Sequence, residues 1–359
     1  MKAMKHIIFI GILLMLACVS TKLQKVDTTP QTSDLEKTES NEPALHFIAL
    51  SDINGEVGKI KYQKKVHQGV AQILARKPDM VIGVGDYVAG EDVANKLPSD
   101  HFAKMWQVFA SDILKPITEA GAIFFPSPGN HDASGYANMK REREAYAVFW
   151  NAHKHSVGYV SAEYYPYFYS FKMRDVFFIS LDDVSAFTLT QGDKQKKWLR
   201  EQLASREATQ ALARVVYGHV PLYPVLDKAR HSQGAKGKFF EVLSQEQLAI
   251  NQKGLESILL EGKVDLAIFA HSHAYFPGRV QRKETRALRI LSMPCLGPGN
   301  RQIQGVAKQS RRGFVDLQVN AKTGEITYEM FDFAGNRIPK SSLPEKIPQS
   351  DPLIEYLRD

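Results

Sequence analysis

Five places in this chain put a side chain able to hold a metal ion or move a proton directly after an apolar run. Asp52 follows Leu45–Leu50, Asp86 follows Met80–Val84, and Asn130 with His131 follows Ala122–Phe125. His219 follows Arg214–Tyr217, and His271 with His273 follows Asp265–Phe269. Carboxylate and amide oxygens together with imidazoles are the donors of a divalent-cation site. Two such cations about 3.5–4 Å apart, bridged by one carboxylate, lower the pKa of a shared water enough to make it a nucleophile near neutral pH. Taken singly, each segment has a plainer reading. An Asp at a strand end caps a turn or a helix, Gly129-Asn130-His131-Asp132 makes a turn, and a lone His-x-His places two imidazoles on one side of an extended surface segment. What those readings leave unexplained is the recurrence at five strand ends, which is where α/β sheets bind their ligands.

The elements that must present these residues are legible as alternating strands and helices. After the strand Leu45–Leu50, a helix carries Val66, Val70, Ile73 and Leu74 on one face and stops at Lys77-Pro78-Asp79. Buried strands are expected over Met80–Val84, Ala122–Phe125, Val176–Leu181, Arg214–Tyr217 and Asp265–Phe269, with helices over Asp193–Arg206 and Ser244–Glu261. The end of the chain reads as mostly β: Leu288–Leu291, Gly313–Val319 and Glu325–Phe331, with a last turn at Lys322-Thr323-Gly324. No internal repeat is present.

In order along the chain, Ser51-Asp52-Ile53-Asn54, Gly85-Asp86, Gly129-Asn130-His131-Asp132, Gly218-His219 and Ala270-His271-Ser272-His273 resemble the five motif blocks of calcineurin-like metallophosphoesterases. The resemblance spans roughly residues 45 to 335 and is greatest to the subgroup related to purple acid phosphatases. Tyr169-Ser170-Phe171, Phe178-Ile179-Ser180-Leu181-Asp182, Lys197-Trp198-Leu199 and Val220-Pro221-Leu222-Tyr223 support it. It implies an α/β fold with a central β-sandwich of two mixed sheets, flanked by helices, with the metal site at strand carboxyl ends. It also implies hydrolysis of phosphate mono- or diesters by a hydroxide that bridges two divalent ions of manganese, iron or zinc. By position, Asp52 and His273 would bind the first metal, Asp86 would bridge, and Asn130, His219 and His271 would bind the second. His131 would protonate the leaving oxygen as general acid, and Asp132 would orient it.

The chain departs from the family pattern at three positions. Asn54 stands where the first block usually has His, offering an amide oxygen as a weaker ligand of the first metal, or else serving as a turn residue. Ala270 replaces the usual Gly. Ala89 occupies the position at which purple acid phosphatases carry an iron-binding Tyr, so an iron–tyrosinate centre is not expected.

Lys2 and Lys5 precede an apolar run, His6–Ala17, that is too short to span a bilayer, and the run ends at Cys18. Residues 1–17 read as a lipoprotein-type signal peptide with Cys18 as the lipidated residue, a simple cleaved signal and an uncleaved anchor being the alternatives. Residues 18–43, polar and Pro-containing, read as a flexible tether. The phosphoesterase domain is assigned to 44–340 and a mobile tail to 341–359. The expected location is outside the cytoplasm of a bacterium, held to a membrane through the N-terminal lipid.

With 44% hydrophobic residues the chain can bury a sizeable core. A formal charge of +7 suits anionic partners such as phosphorylated small molecules or polymers, yet no Lys/Arg block is dense enough to read as a nucleic-acid patch. Nothing names a protein partner. The aromatic run Tyr164–Phe171 either lines a substrate mouth or packs a strand. The Gly/Pro loop Pro294–Arg301 could bring Arg301 to a phosphate, and Cys295 reads as an inert packed thiol. Two other functions fit the same scaffold: an exported nuclease or nucleotidase, and a membrane-tethered binding protein with a degenerate metal site. Only Asn54 favours the latter, and the intact His131-Asp132 pair argues against it.

Overall fold

The computed structural model describes residues 45–184, 193–223, 225–226, 254–280, 286–297, 299–303, 310–347 and 354–356. Cys18 and the segment read as leader and tether lie outside the described residues. The strands in chain order are β1 (Leu45–Leu50), β2 (Met80–Val84), β3 (Ile123–Ser127), β4 (Tyr159–Ser161), β5 (Tyr169–Met173), β6 (Val176–Ser180), β7 (Ala213–Gly218), β8 (Leu266–Phe269), β9 (Phe276–Val280), β10 (Leu288–Ser292), β11 (Gly313–Val319), β12 (Ile326–Asp332), β13 (Lys346–Ile347) and β14 (Ile354–Tyr356). They form two mixed sheets, one of order β12-β11-β1-β2-β3 and one of order β13-β14-β9-β10-β8-β7-β6-β5-β4.

The parallel parts of the two sheets, β1-β2-β3 and β6-β7-β8-β10, are the parts that matter for the site. Parallel strands buried on both faces read as continuous apolar runs, and β6 illustrates this. Its Val176 and Phe178 join the core between the sheets, while Phe177 and Ile179 join a second cluster with Trp198, Leu199, Leu255 and Ile258. The two sheets meet through aromatic rings: Phe47 packs edge-on against Phe178, and Phe171 stacks between Phe125 and Phe178. Helices α1 (Lys64–Ala75), α2 (His101–Phe109), α3 (Lys115–Glu119), α4 (Asn130–Ala133), α5 (Lys140–Ala152), α6 (Asp193–Ala204) and α7 (Arg206–Thr209) complete the named elements. A π-helical turn, Ala110–Leu114, joins α2 to α3.

Several expectations shift here. Residues 254–261 of the expected Ser244–Glu261 helix are helical, and its earlier residues lie outside the described ones. Ser205 ends the helix expected to reach Arg206, because its hydroxyl accepts the Ala208 N–H and caps α7 instead. The aromatic run is core rather than a substrate mouth. Tyr165, Phe168, Tyr169 and Phe171 are buried, and the Tyr169 hydroxyl donates to the Pro126 carbonyl across the sandwich. The segment expected as a mobile tail contributes strand pairs instead, β13 on β14 and β14 on β9, so the sheet extends past residue 340.

Candidate metal centre

The carboxyl ends of β1, β2 and β3 face those of β7 and β8, and the expected residues converge there. One group of donors is Asp52, Asp86 and His273, and another is Asp86, His219 and His271; within each group the donor atoms lie within 4.8 Å of one another. Asp86 belongs to both. His273 Nε2 stands 3.0 Å from Asp52 Oδ1, and His219 Nε2 stands 3.3 Å from Asp86 Oδ2. The side-chain oxygen of Asn130 lies 3.0 Å from His219 Nε2 and 2.9 Å from His271 Nδ1. Asn54 is buried, and its backbone N–H donates to the Asp86 carbonyl at 3.2 Å.

The turns that carry these side chains are under strain. Asp52, Asp86, His271 and His273 have φ of 49°, 59°, 58° and 51°. Non-glycine residues seldom adopt this left-handed region, and they keep it where surrounding structure over-determines them, often at functional sites. Ala270 is not one of them, so its lack of glycine's freedom costs nothing here. Glycine is required at two other points. A Cβ on Gly129 would sit 2.1 Å from the Asp86 nitrogen, and one on Gly85 would sit 2.5 Å from His219 Nδ1.

Two buried carboxylates hold the turns in place. Asp132 accepts the backbone N–H groups of Asp86, Tyr87, Val88 and Gly129 at 2.6–3.1 Å. It therefore anchors the β2 turn to the β3 turn and does not orient the His131 ring as expected. Burial and the charge of Asp86 push its pKa up to about 7, while the backbone donors pull it down. Asp183, just after β6, accepts the N–H groups of His219 and Val220 at 2.9 and 3.0 Å; burial likewise raises it to about 7.

The imidazoles are preset by their outward nitrogens. Carbonyls only accept, so Nδ1 of His219 donates to Val84 O at 2.8 Å and Nδ1 of His273 donates to Gly299 O at 2.7 Å. When the ring is neutral, the Nε2 lone pair is then the one turned to the carboxylates, as ligand histidines are oriented by an outer partner. Burial works against charge at Asp86 and Asp52. His219 and His131 nevertheless hold Asp86 below the usual carboxylate range, and His273 does the same for Asp52. Burial opposes an imidazolium at His219 as well, yet Asp86 and Asp52 raise its pKa to about 10. Burial, with the neighbouring His219 and Arg301, keeps His271 neutral.

The donor set fits a pair of divalent cations. Asp52 is fully buried; the His273 imidazole stands 3.0 Å from Oδ1, and among the described residues no other group donates to either carboxylate oxygen. A buried carboxylate so short of donors is costly unless a cation neutralises it.

A profile of the calcineurin-like phosphoesterase family matches residues 45–275. The chain belongs to that family. A solved structure agrees with the fold. A purple acid phosphatase from yellow lupin (Lupinus luteus) seeds superposes with TM-score 0.58 at 17% identity, over 82% of this chain and 53% of that one. The chain thus spans about half the length of the lupin enzyme. A dimetal phosphatase from Danio rerio matches with TM-score 0.48 at 12% identity, over 80% of this chain and 96% of that one. GAP50, the anchor in the inner membrane complex of Plasmodium, matches with TM-score 0.46 at 14% identity, over 84% and 91%. A sequence search of curated proteins finds no match.

In this member of the family the loop after β10 also reaches the centre. Arg301 Nη1 donates to the His271 carbonyl at 3.0 Å, and its backbone N–H to that of His273 at 3.3 Å. Cys295, buried in the same loop, has its thiol pushed up to about 12 by burial and the nearby Asp52, which leaves it unreactive. His131 stands at the rim. Its backbone N–H donates to Asp86 Oδ1 at 2.9 Å, and its ring Nδ1 pairs with Gly90 O at 3.2 Å. Three contributors escaped the sequence reading: Asp183, Glu91 and the Gly90 carbonyl. Asp183 was within reach, since it too follows an apolar strand. The other two lie in an irregular loop whose path nothing in the sequence pattern specifies.

Proposed function

We propose that this enzyme hydrolyses phosphate mono- or diesters at a two-cation centre. The observation that carries the reading is Asp86, whose carboxylate belongs to both donor groups beside the buried oxygens of Asp52. Divalent cations there would activate a water and neutralise phosphoryl charge. Asp52, His273 and the amide of Asn54 would hold one ion, and Asn130, His219 and His271 the other, with Asp86 shared. The Gly90 carbonyl takes the Nδ1 proton of His131, so Nε2 is the atom that delivers a proton to the departing oxygen. Arg301, fixed on the His271 carbonyl, supplies positive charge for the phosphoryl oxygens.

The test titrates manganese, and separately zinc, into metal-free wild type and Asn54→His, following hydrolysis of p-nitrophenyl phosphate and bis(p-nitrophenyl) phosphate. Activity is expected only with metal, and Asn54→His should reach it at a lower concentration of zinc than wild type, because imidazole suits zinc while a carbonyl oxygen suits manganese. Hydrolysis that persists with the metal shown to be gone overturns the reading. Superimposable titrations remove Asn54 from the ligand set.

A further inference from the structure

The segment that leaves the metal centre after Asn54 is strongly basic. Lys59, Lys61, Lys64 and Lys65 are exposed, and Glu56 is the only acid between residues 55 and 65. The fold adds two arginines from far along the chain. Arg312 donates to the Gln63 side-chain oxygen at 3.1 Å, and Arg311 beside it is exposed. Among the described residues, Lys59, Lys61, Lys64 and Arg311 have no ion-pair partner. Helix stability does not account for this placement. Lys64 and Lys65 stand in the first turn of α1, where the helix dipole disfavours cations, and no acid stands there to offset them.

Both arms of this surface are fastened to the turns of the centre. The Gly58 N–H donates to the Ala89 carbonyl at 2.7 Å, a short step past Asp86. β11 begins just after Arg312 and pairs antiparallel with β1, so Arg311 and Arg312 stand beside the end of β1 that leads to Asp52. The cations therefore border the centre on the side of Asp52 and Asn54. Ile60 and Tyr62 pack inward on the core, and the Tyr62 hydroxyl donates to the Tyr87 carbonyl at 2.7 Å. Lys59, Lys61 and Gln63 alternate with them and face outward. Such a row of cations suits phosphates that recur along a chain, whereas a lipid surface would also take apolar side chains from between the lysines. With Tyr62 turned inward, the segment offers no ring for base stacking, so phosphates and not bases are what it can hold. We propose, resting on the phosphoesterase reading above, that this basic surface binds a linear phosphodiester polymer by its backbone, with the chain running on into the metal centre.

Binding is measured on the full chain in chelator, which keeps hydrolysis out of the readout. The probes are a fluorescein-labelled oligothymidylate of about 20 nucleotides and poly(glycerol phosphate) of similar length as its competitor. The wild type is expected to bind at least one, more weakly as salt rises, and the tighter of the two names the source of the polymer. Each neutralised phosphate of a single strand contributes about 0.7 to the slope of log affinity against log salt. Lys59→Glu with Lys61→Glu should weaken binding about tenfold or more and flatten that slope by about 1.4. Its thermal melt and its manganese-supported turnover of p-nitrophenyl phosphate should match wild type. Lys77→Glu with Lys322→Glu makes the same change of charge on exposed lysines at the opposite edge of the sheet, before β2 and between β11 and β12. It should leave affinity within about twofold. Equal losses in the two double variants overturn the proposal, because binding then follows total charge. Failure of both polymers to bind also overturns it, and capture of phosphatidylglycerol vesicles in their place gives the surface to lipid. In each of these cases hydrolysis of the p-nitrophenyl esters keeps the phosphoesterase reading standing. A wild type that hydrolyses neither p-nitrophenyl ester overturns that reading and this proposal with it.

Discussion

His131 can donate a proton from Nε2 only as an imidazolium, because the Gly90 carbonyl already holds the proton on Nδ1. Burial opposes that charge, while Asp86 and Glu91 raise the His131 pKa, which suits the acid role proposed for it. His131→Ala is therefore expected to keep its metal and lose turnover by about 10²–10⁴-fold, most for esters with poor leaving groups. Metal analysis beside the kinetics checks this, and a variant that loses its metal would make His131 a ligand. At this scale the donors were legible from residue type and from their place after apolar runs. The partners were not. Asp132 follows His131 in sequence, but its carboxylate accepts three backbone N–H groups of the β2 turn and that of Gly129 at the start of its own helix. Backbone donors leave no trace in a sequence, and a side chain's neighbour in the chain is a poor guide to its neighbour in space.

Among elements, the strands were read nearly to their ends, while α2, α5 and the strands β4, β5 and β9 were not. In α5 the reason is physical. Its first turns, Lys140 to Glu144, read as a solvated charged face, yet Glu142 is buried and accepts the Asp92 N–H at 2.9 Å. Arg143 reaches further. It donates to the Ala133 carbonyl at 2.6 Å, pairs with the Asp182 carboxylate at 2.5 Å and lies over the Tyr167 ring. One guanidinium thus ties α5 to the end of α4, which carries Asn130 and His131, and to the end of β6. Burial disfavours its charge, but Asp182 raises its pKa, so it stays ionised. Arg143→Met removes a charged partner of a carboxylate that is 1% exposed, and the cost is expected to be roughly 3 kcal/mol. Chemical denaturation would measure it. A loss under about 1 kcal/mol would mean that water or another donor satisfies Asp182 as well as Arg143 does.

For the whole molecule, the centre divides by chemistry as well as by geometry. The oxygen donors Asp52, Asp86 and Asn130 follow strands of the first sheet, and the imidazoles His219, His271 and His273 follow strands of the second. How the domain is carried is a separate matter. No helix among the described residues is long and apolar enough to cross a membrane. We propose attachment through lipid on Cys18, which Cys18→Ser should abolish, moving the protein out of the membrane fraction of its bacterial host; unchanged fractionation would refute it.

Cations bound between the oxygen and imidazole donors would join the two sheets at one edge, so metal affinity should appear as fold stability. A ligand that binds only the native state at a hundred times its dissociation constant contributes about 2.7 kcal/mol. For a domain of this size that corresponds to a rise of about 5 °C in Tm. Melting with saturating manganese and again in chelator should show that difference. His219→Ala should remove most of it, since the ring faces both Asp86 and Asn130. Arg301→Ala should retain it, because Arg301 lies in neither donor group. Equal Tm values, with the metal shown to bind and to leave, would mean that the sheets are already fixed by the aromatic core at Phe47, Phe125, Phe171 and Phe178. The strain at the four left-handed ligand positions would then be borne by that packing and not by the ions.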